Sequence, residues 1–196
     1  MRKLIVVSMV SLDGYYTGPN GDMTKMGIDD GFNAYNVERI KSTSTVLVGH
    51  TSFKEFSSYW PGRENDKNAS ENEIKFNKFY YDIEKIVVSK NFSADEIPNE
   101  WAGTVKSFGD NVVENIRKLK KKEGQDIVIW GSRTLWSDLV KHGLVDEIHL
   151  VIGNGLLGEG VPLFKANIRP TLRPIKSYVI KDSNNVVVQY QLNKSR

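Results

Sequence analysis

The chain from residue 127 to residue 135 reads Ile127-Val128-Ile129-Trp130-Gly131-Ser132-Arg133-Thr134-Leu135. Its first four residues form an apolar, largely β-branched run, which is typical of a strand buried on both faces of a parallel sheet. A Gly-Ser pair ends this run, and apolar residues at helical spacing follow it up to Gly143. A buried strand that turns directly into a helix is the repeating unit of α/β proteins, so this segment predicts that fold class.

The same arrangement of a strand followed by a polar turn recurs upstream. Val46-Leu47-Val48 runs into Gly49, Ile86-Val87-Val88 runs into Ser89-Lys90, and Leu4–Val10 supplies a first buried strand. After about residue 150 only strands follow, among them a predicted terminal hairpin of 178–180 with 186–192. Helices are predicted over 32–42, from Ser70 onward, over 111–122 and up to Gly143. The order predicts a largely parallel sheet with an antiparallel C-terminal edge.

Composition excludes several classes of function. The 196 residues include no cysteine, which excludes a disulfide scaffold, an iron–sulfur cluster and a cysteine nucleophile. The net charge of +3 does not indicate a nucleic-acid or membrane partner. The basic run at 117–122 closes an amphipathic helix, where a solvated helix end is favoured over RNA contact. No apolar run approaches the ~20 residues that span a bilayer, so we expect a single cytoplasmic domain over 1–196.

Two patterns in the sequence resemble functional motifs only weakly. Gly153-Asn154-Gly155-Leu156-Leu157-Gly158 has GxGxxG spacing, but Glu159-Gly160-Val161-Pro162 follows where a dinucleotide fingerprint needs a helix. We therefore favour a turn-rich loop there. His50, His142 and His149 have no metal-ligand spacing, and no metal site is predicted.

Polar residues follow three of the predicted strands at their carboxyl ends, where ligands gather in α/β sheets. Backbone N–H groups at a helix N-terminus bind phosphate oxygens, Gly131 allows close approach, and Ser132 and Thr134 add hydroxyl donors. The alternative is a helix that Ser132 merely caps, with ordinary loops at the other two strand ends. The residues concerned are Gly49, His50, Thr51 and Ser52, then Ser89 and Lys90, then Gly131, Ser132, Arg133, Thr134 and Leu135.

Together these segments resemble the dihydrofolate-reductase-like fold, and more closely the bacterial family related to the reductase domain of the riboflavin-pathway deaminase/reductase. The resemblance covers nearly the whole chain. It rests on Ser11-Leu12-Asp13-Gly14, on Val46-Leu47-Val48-Gly49-His50-Thr51-Ser52-Phe53, on Lys85-Ile86-Val87-Val88-Ser89-Lys90 and on the turn at 131–135. Its most specific part is Gly143-Leu144-Val145-Asp146-Glu147-Ile148 followed by Leu156-Leu157-Gly158-Glu159-Gly160-Val161-Pro162-Leu163-Phe164.

The resemblance implies a three-layer α/β fold with a mostly parallel central sheet and an antiparallel C-terminal hairpin at its edge. It implies that NADPH binds across the strand ends, with its pyrophosphate at 131–135 and its adenosine half at 49–52, Ser89 and Lys90. Asp13 would border the nicotinamide and the substrate. Its alternative roles are to orient the substrate or relay a proton, or to anchor the loop. The resemblance also implies a homodimer, in which Val186-Val187-Val188 would pair across the interface.

Two departures from the family pattern bear on cofactor and substrate. His50 stands where dihydrofolate reductases have an arginine that meets the 2′-phosphate, so the choice between NADPH and NADH stays open. Asp29 and Asp30 precede the first helix and Asn33 falls near the expected place of the buried acid that binds a pterin. We therefore expect an NADPH-dependent reductase of a small polar heterocyclic or carbonyl substrate, such as a ribosylaminopyrimidine. The alternatives are a nucleotide-binding module without catalysis, a true dihydrofolate reductase and an RNA-binding protein.

Overall fold

The structure is a computed structural model, and it describes residues 1–193. The predicted single domain over 1–196 extends past them into 194–196, which lie outside the described residues. No helix within 1–193 is long and apolar enough to cross a membrane. The strands are β1 (Leu4–Val10), β2 (Tyr15–Thr17), β3 (Thr43–Gly49), β4 (Glu84–Val88), β5 (Val105–Phe108), β6 (Asp126–Trp130), β7 (Glu147–Ile152), β8 (Val161–Pro162), β9 (Leu172–Val179) and β10 (Val186–Leu192). The α-helices are α1 (Asp30–Ile40), α2 (His50–Tyr59), α3 (Glu71–Asp82), α4 (Val112–Lys121) and α5 (Arg133–Lys141).

Eight strands form one sheet in the order β5-β4-β3-β6-β1-β7-β10-β9. The pairs from β5 to β7 are parallel, whereas β10 is antiparallel to both β7 and β9. This confirms the mostly parallel α/β sheet with an antiparallel C-terminal hairpin at its edge. A small second sheet pairs β2 with β8 and brings the loop after β1 against the loop after β7.

Helices cover both faces of the large sheet, because alternate residues of its central strands enter two separate cores. On one face Ile5 and Val7 of β1 belong to a core with residues of α1, α2 and α3. On the other face Leu4 and Val6 belong to a core with residues of α4 and α5. The result is the predicted three-layer arrangement, in which the central strands carry apolar residues on both faces.

The helix predicted to begin after Ser70 is α3, and its capping box is present. Ser70 Oγ accepts from the Glu73 backbone N–H at 3.1 Å, and Glu73 Oε2 accepts from the Ser70 N–H at 2.8 Å. Glu73 is buried, and its other oxygen accepts from Arg63 at 2.9 Å. The segment before α3 is therefore bonded to this helix through Arg63.

The C-terminal hairpin differs from the expectation in two ways. β9 begins at Leu172, well before the predicted 178–180. Its first half was not predicted because it is exposed, carries Arg173, Pro174 and Lys176, and lacks apolar alternation. Val186-Val187-Val188 lies in β10 between β7 and β9, where its backbone already has partners on both sides. Its predicted pairing across a dimer is wrong, since β9 forms that edge of the sheet.

The basic run at 117–122 is not a fully solvated helix end. Lys120 is buried, its Nζ donates to the Leu144 carbonyl at 2.6 Å, and it forms an ion pair with Asp146. The Lys120 ammonium therefore holds the end of α4 against the segment that leads into β7.

The glycines of the GxGxxG stretch let two loops touch. A Cβ atom on Gly153 would lie 1.9 Å from the Met26 carbonyl oxygen, and one on Gly155 would lie 1.8 Å from that of Lys25. The Gly155 N–H also donates to Met26 at 3.3 Å. Up to residue 193 no helix follows these glycines, so the interpretation as a turn-rich loop is confirmed and the dinucleotide fingerprint is excluded.

Candidate functional site

A cleft of about 810 Å³ opens at the carboxyl ends of β3 and β6, and residues of α2 and α5 line it. It brings together most of the residues predicted to bind a cofactor. Those that line it are Gly49, His50, Thr51, Ser52, Ser132, Arg133, Thr134 and Leu135. Four predicted residues do not line the cleft, namely Gly131, Ser89, Lys90 and Asp13. Gly131 and Ser89 are each next in the chain to a lining residue, Ser132 and Val88.

Two helices begin at this cleft without a side-chain cap. The N-cap of α2 is Gly49 and that of α5 is Ser132, and neither provides a side-chain acceptor for its own helix. Ser132 Oγ instead accepts from the Gly49 backbone N–H at 3.1 Å. Ser132 is the N-cap residue of α5, as the alternative interpretation had it, but its hydroxyl joins the two turns and does not bond its own helix. The first N–H groups of α5 face an opening and carry the positive end of the helix dipole.

The turn between β6 and α5 has a left-handed backbone. Gly131 has φ +60° and Ser132 has φ +46°. A Cβ atom on Gly131 would lie 3.1 Å from the Tyr16 hydroxyl, so a side chain there would crowd the tyrosine. The left-handed pair turns the chain from the sheet into the helix within two residues, which is the close approach that glycine permits at phosphate sites.

Tyr16 of β2 lines the cleft and was not predicted as a site residue. Within residues 1–193 its hydroxyl has no hydrogen-bond partner. Burial raises the pKa of the phenol, and the nearby Glu55 adds to this effect, so the hydroxyl stays protonated and can donate. No sequence signal identified it, because its position depends on the pairing of β2 with β8.

The charges along the cleft nearly balance. Arg133, Lys141 and Lys165 line it together with Glu55 and Asp138. Arg133 Nε donates to the Leu163 carbonyl at 3.0 Å, which fixes the stem of this side chain at the mouth of the cleft. Lys141 Nζ lies 3.7 Å from Asp138 Oδ1. The backbone dipoles of α2 and α5 therefore add to a surface of little net charge.

His50, at the start of α2, is held from outside the cleft. Its Nε2 atom is 2.7 Å from Glu96 Oε2, and its Nδ1 atom is 3.5 Å from Ser89 Oγ. Lys54 Nζ lies 3.1 Å from the same Glu96 carboxylate. The bond to His50 is the largest cause that lowers the pKa of Glu96 to about 2. Glu96 was not predicted, although Ser93 and Glu96 have the capping-box spacing that marks its short helical turn.

Lys90, predicted for the adenosine half of a cofactor, points to a different partner. Its Nζ atom lies 3.0 Å from Asp110 Oδ1, and both side chains are largely exposed. Such a surface pair is weak and can exchange partners. Lys90 therefore stays a predicted cofactor residue that the cleft does not include.

Asp13 clips two loops together. Its carboxylate accepts from the Gly158 N–H at 2.7 Å, from the Leu157 N–H at 3.1 Å and from Ser11 Oγ at 2.7 Å. These bonds, with Ser11 first, lower the pKa of Asp13 to about 2. The geometry matches the loop-anchor alternative, while its catalytic role stays a prediction.

The other two histidines have structural surroundings. His149 is buried, with Nδ1 2.6 Å from the Tyr35 hydroxyl and Nε2 3.0 Å from Glu147 Oε2. His142 is partly exposed near Asp138 at the end of α5. Within residues 1–193, no group of three or more histidines and carboxylates is placed to hold a metal ion.

Known structures share this fold. A diaminohydroxyphosphoribosylaminopyrimidine deaminase/5-amino-6-(5-phosphoribosylamino)uracil reductase from Thermotoga maritima is similar over 98% of this chain and 57% of that chain, with a TM-score of 0.66 and 19% identity. A dihydrofolate reductase from Enterococcus faecalis, solved in complex with NADP(H) and RAB-propyl, is similar over 97% of this chain and 96% of that chain, with a TM-score of 0.60 and 13% identity. These similarities confirm the dihydrofolate-reductase-like fold.

Sequence relatives show the family. The uncharacterized protein YyaP of Bacillus subtilis strain 168 is 34% identical over 165 residues, which are 83% of this chain and 80% of that protein. Residues 2–186 match the family model described as the RibD C-terminal domain. With nearly the whole chain matched and the strand-end cleft in place, the protein belongs to the RibD C-terminal domain family.

Proposed function

We propose that the protein is a reductase that binds a nicotinamide dinucleotide, NADPH, in the cleft and reduces a small polar heterocyclic or carbonyl compound. The observation that carries this proposal is the meeting of two uncapped helix N-termini in one cleft, joined by the bond between Ser132 and Gly49. Free N–H groups and aligned dipoles suit the two phosphates of a dinucleotide. Membership of a reductase-domain family supports the same assignment.

Each part of the cleft has a proposed task toward this cofactor. Ser132 accepts from Gly49, so the hydrogen of its hydroxyl is free to donate to a phosphate oxygen, beside the N–H groups at the start of α5. Thr51 and Ser52 offer hydroxyls at the start of α2, toward the adenosine half. Tyr16 stands over Gly131 with a free hydroxyl and closes the cleft from the β2 side.

The nicotinamide ring, when bound, supplies the hydride, and the protein orients the acceptor and excludes water. Asp13 keeps the loop at 11–14 against 157–158 and so shapes the end of the cleft where we place nicotinamide and substrate. We propose a ribosylaminopyrimidine-like compound as substrate. This assignment rests on family membership and on the departure from folate reductases described next.

Neither acid near α1 favours a pterin. Asp29 caps α1 and accepts from Ser183 Oγ at 2.7 Å and from the Asn184 N–H at 2.9 Å. Asp30 accepts from Asn72 at 2.7 Å and bonds Ser70. Neither lines the cleft, so neither is placed to bind a pterin there. A substrate with other polar groups is therefore favoured over dihydrofolate.

Cofactor titration followed by a substrate screen tests the proposal. We expect NADPH to quench or transfer energy from the tryptophans beside the turn, Trp130 and Trp136, with saturable binding below millimolar concentration. Oxidation of NADPH should then follow addition of a ribosylaminopyrimidine or a simple carbonyl, but not of dihydrofolate. Binding without oxidation by any acceptor would favour the nucleotide-binding module, and absence of binding would refute both. The homodimer and the cytoplasmic location stay predictions, which sedimentation and cell fractionation would test.

A further inference from the structure

A carboxylate is bonded to His50, a lining residue at the end of the cleft where we propose the adenosine half of the cofactor. Glu96 belongs to the short turn Ala94–Glu96 after β4 and reaches over the start of α2. Its side chain is 21% exposed, and its oxygens contact His50 and Lys54. With the pKa of this carboxyl at about 2, it is ionised at every pH at which the protein would work.

The positive charges at this end are already paired with carboxylates. Lys54 faces Glu96 at 3.1 Å, and Lys90 faces Asp110 at 3.0 Å. The Nε2 atom of His50 lies 2.7 Å from Glu96 Oε2 and is already bonded to that carboxylate. A phosphate monoester carries close to two negative charges at neutral pH and needs cationic donors that are free to turn to it.

We infer that Glu96 is a specificity-determining residue for the nicotinamide dinucleotide. Its carboxylate opposes the 2′-phosphate of NADPH and so lowers the affinity for NADPH relative to the affinity for NADH. This inference rests on the proposed function, because it places the adenosine half beside His50. The ribose of NADH carries hydroxyls at this position, which neither need the lysines nor repel the carboxylate. A lysine that binds the 2′-phosphate of NADPH has to leave its carboxylate partner, and the phosphate then lies near the charge of Glu96.

A purely structural role for Glu96 is the competing explanation. Glu96 Oε1 also accepts from the Ser93 N–H at 3.0 Å, so it helps to form its own turn. Loss of that bond would loosen the segment over the cleft and would affect both cofactors equally. The ratio of the two affinities therefore separates the two roles, whereas either affinity alone would not.

The test measures dissociation constants of NADPH, NADH, 2′,5′-ADP and ADP by calorimetry for the wild type and three variants. Glu96→Gln keeps an acceptor for Ser93 and removes the charge. We expect it to raise the affinity for NADPH and 2′,5′-ADP by about tenfold and to leave NADH and ADP within about twofold. Lys54→Met, at a largely exposed side chain, leaves Glu96 without its lysine and should shift the ratio in the opposite direction.

Asp95→Asn is the matched control, because it removes the same charge at the neighbouring, exposed position. We expect no change in the ratio for this variant. Equal changes for NADPH and NADH in Glu96→Gln, no change at all, or the same shift in Asp95→Asn would overturn the inference while leaving the proposed function intact. If the wild type binds neither dinucleotide, both the inference and the proposed function fail. If the ratio of the NADPH and NADH affinities shifts as expected in Glu96→Gln but no hydride transfer is found, only the proposed reaction is contradicted.

Discussion

Replacement of Ser132 by aspartate places a negative charge where we propose the pyrophosphate. Ser132 is buried, has φ +46° and ψ +46°, and holds the Gly49 N–H. Aspartate tolerates the left-handed region and can accept the same hydrogen bond. It also puts a carboxylate at the uncapped start of α5, where an acidic side chain is favourable by about 0.3–1 kcal/mol. We therefore expect the melting temperature of Ser132→Asp to stay within a few degrees of that of the wild type.

The effect on cofactor binding should be much larger. Two unit charges 4 Å apart repel by about 1 kcal/mol in bulk water and by about 4 kcal/mol at the effective dielectric of a protein surface. Contact of the hydroxyl with the pyrophosphate places the new carboxylate at about this separation from at least one phosphate. Since about 1.4 kcal/mol corresponds to tenfold in the dissociation constant, we expect NADPH and ADP-ribose to bind at least about tenfold more weakly.

Calorimetric titration of NADPH and ADP-ribose measures this loss, and Ser132→Asn is the matched control. Asparagine has the same shape as aspartate, tolerates the left-handed backbone and carries no charge. We expect its dissociation constant to rise by less than about threefold. An unchanged affinity in a folded Ser132→Asp variant would place the phosphates elsewhere and would refute the reasoning from the helix N-termini. A similar loss in both variants would show that shape, and not charge, is responsible.

Four further predictions concern Asp13, Gly155 and Lys85. Asp13→Asn loses one of the N–H bonds at 157–158, so we expect a lower melting temperature with less than about tenfold loss of turnover; a loss of roughly 100-fold at unchanged cofactor affinity would instead indicate a proton relay. The stabilising effect of Asp13 should be lost in the wild type as the pH falls from about 4 to about 2, because its folded pKa is depressed. Gly155→Ala brings a Cβ atom against the Lys25 carbonyl and should destabilise the fold by about 2 kcal/mol or more in urea unfolding, whereas Gly109→Ala, with its nearest atom at 3.5 Å, should not. Burial lowers the pKa of Lys85 to about 7, so above that pH the unfolded chain binds one proton more than the folded chain. The free energy of unfolding should therefore rise between pH 7 and 9 by at most about 1.4 kcal/mol per pH unit. Lys85→Met should abolish this rise.

The fold could be predicted from the sequence wherever a segment is buried on both faces. β1 was predicted with its observed bounds and β6 nearly so, because continuous apolar runs bounded by polar turns have few other interpretations. β10 was also predicted with its observed bounds. β9 was not, because Arg173, Pro174 and Lys176 lie on an exposed edge, where burial imposes no pattern. β2 and β8 were missed for another reason: each is very short, and each forms only because the other lies beside it.

The candidate site was likewise predicted only in part. The turns at 49–52 and 131–135 lie at strand ends, and parallel strands bring their carboxyl ends to one edge of the sheet. That these two turns lie close together could therefore be predicted from the strands. Tyr16 reaches the cleft from β2, and Glu96 reaches the lining residue His50 from the turn after β4. The course of both segments depends on tertiary contacts that a local pattern does not encode. Ser132 shows the same limit at one residue, because its hydroxyl bonds Gly49 of another strand end and not its own helix.

The clip at Asp13 also affects the order in which the protein folds. Its bonds to 157–158 join segments about 145 positions apart in the chain. Contacts of such long range form slowly, since the intervening chain has to be ordered first. During synthesis β1, β3, β4 and β6 emerge well before residue 157. The Asp13 carboxylate therefore lacks its bonds to the Leu157 and Gly158 N–H groups while these parallel strands pair. The bonds between Asp13 and 157–158 should therefore form after these parallel strands have paired, so a nascent chain should acquire the parallel core of its sheet before it acquires its binding site.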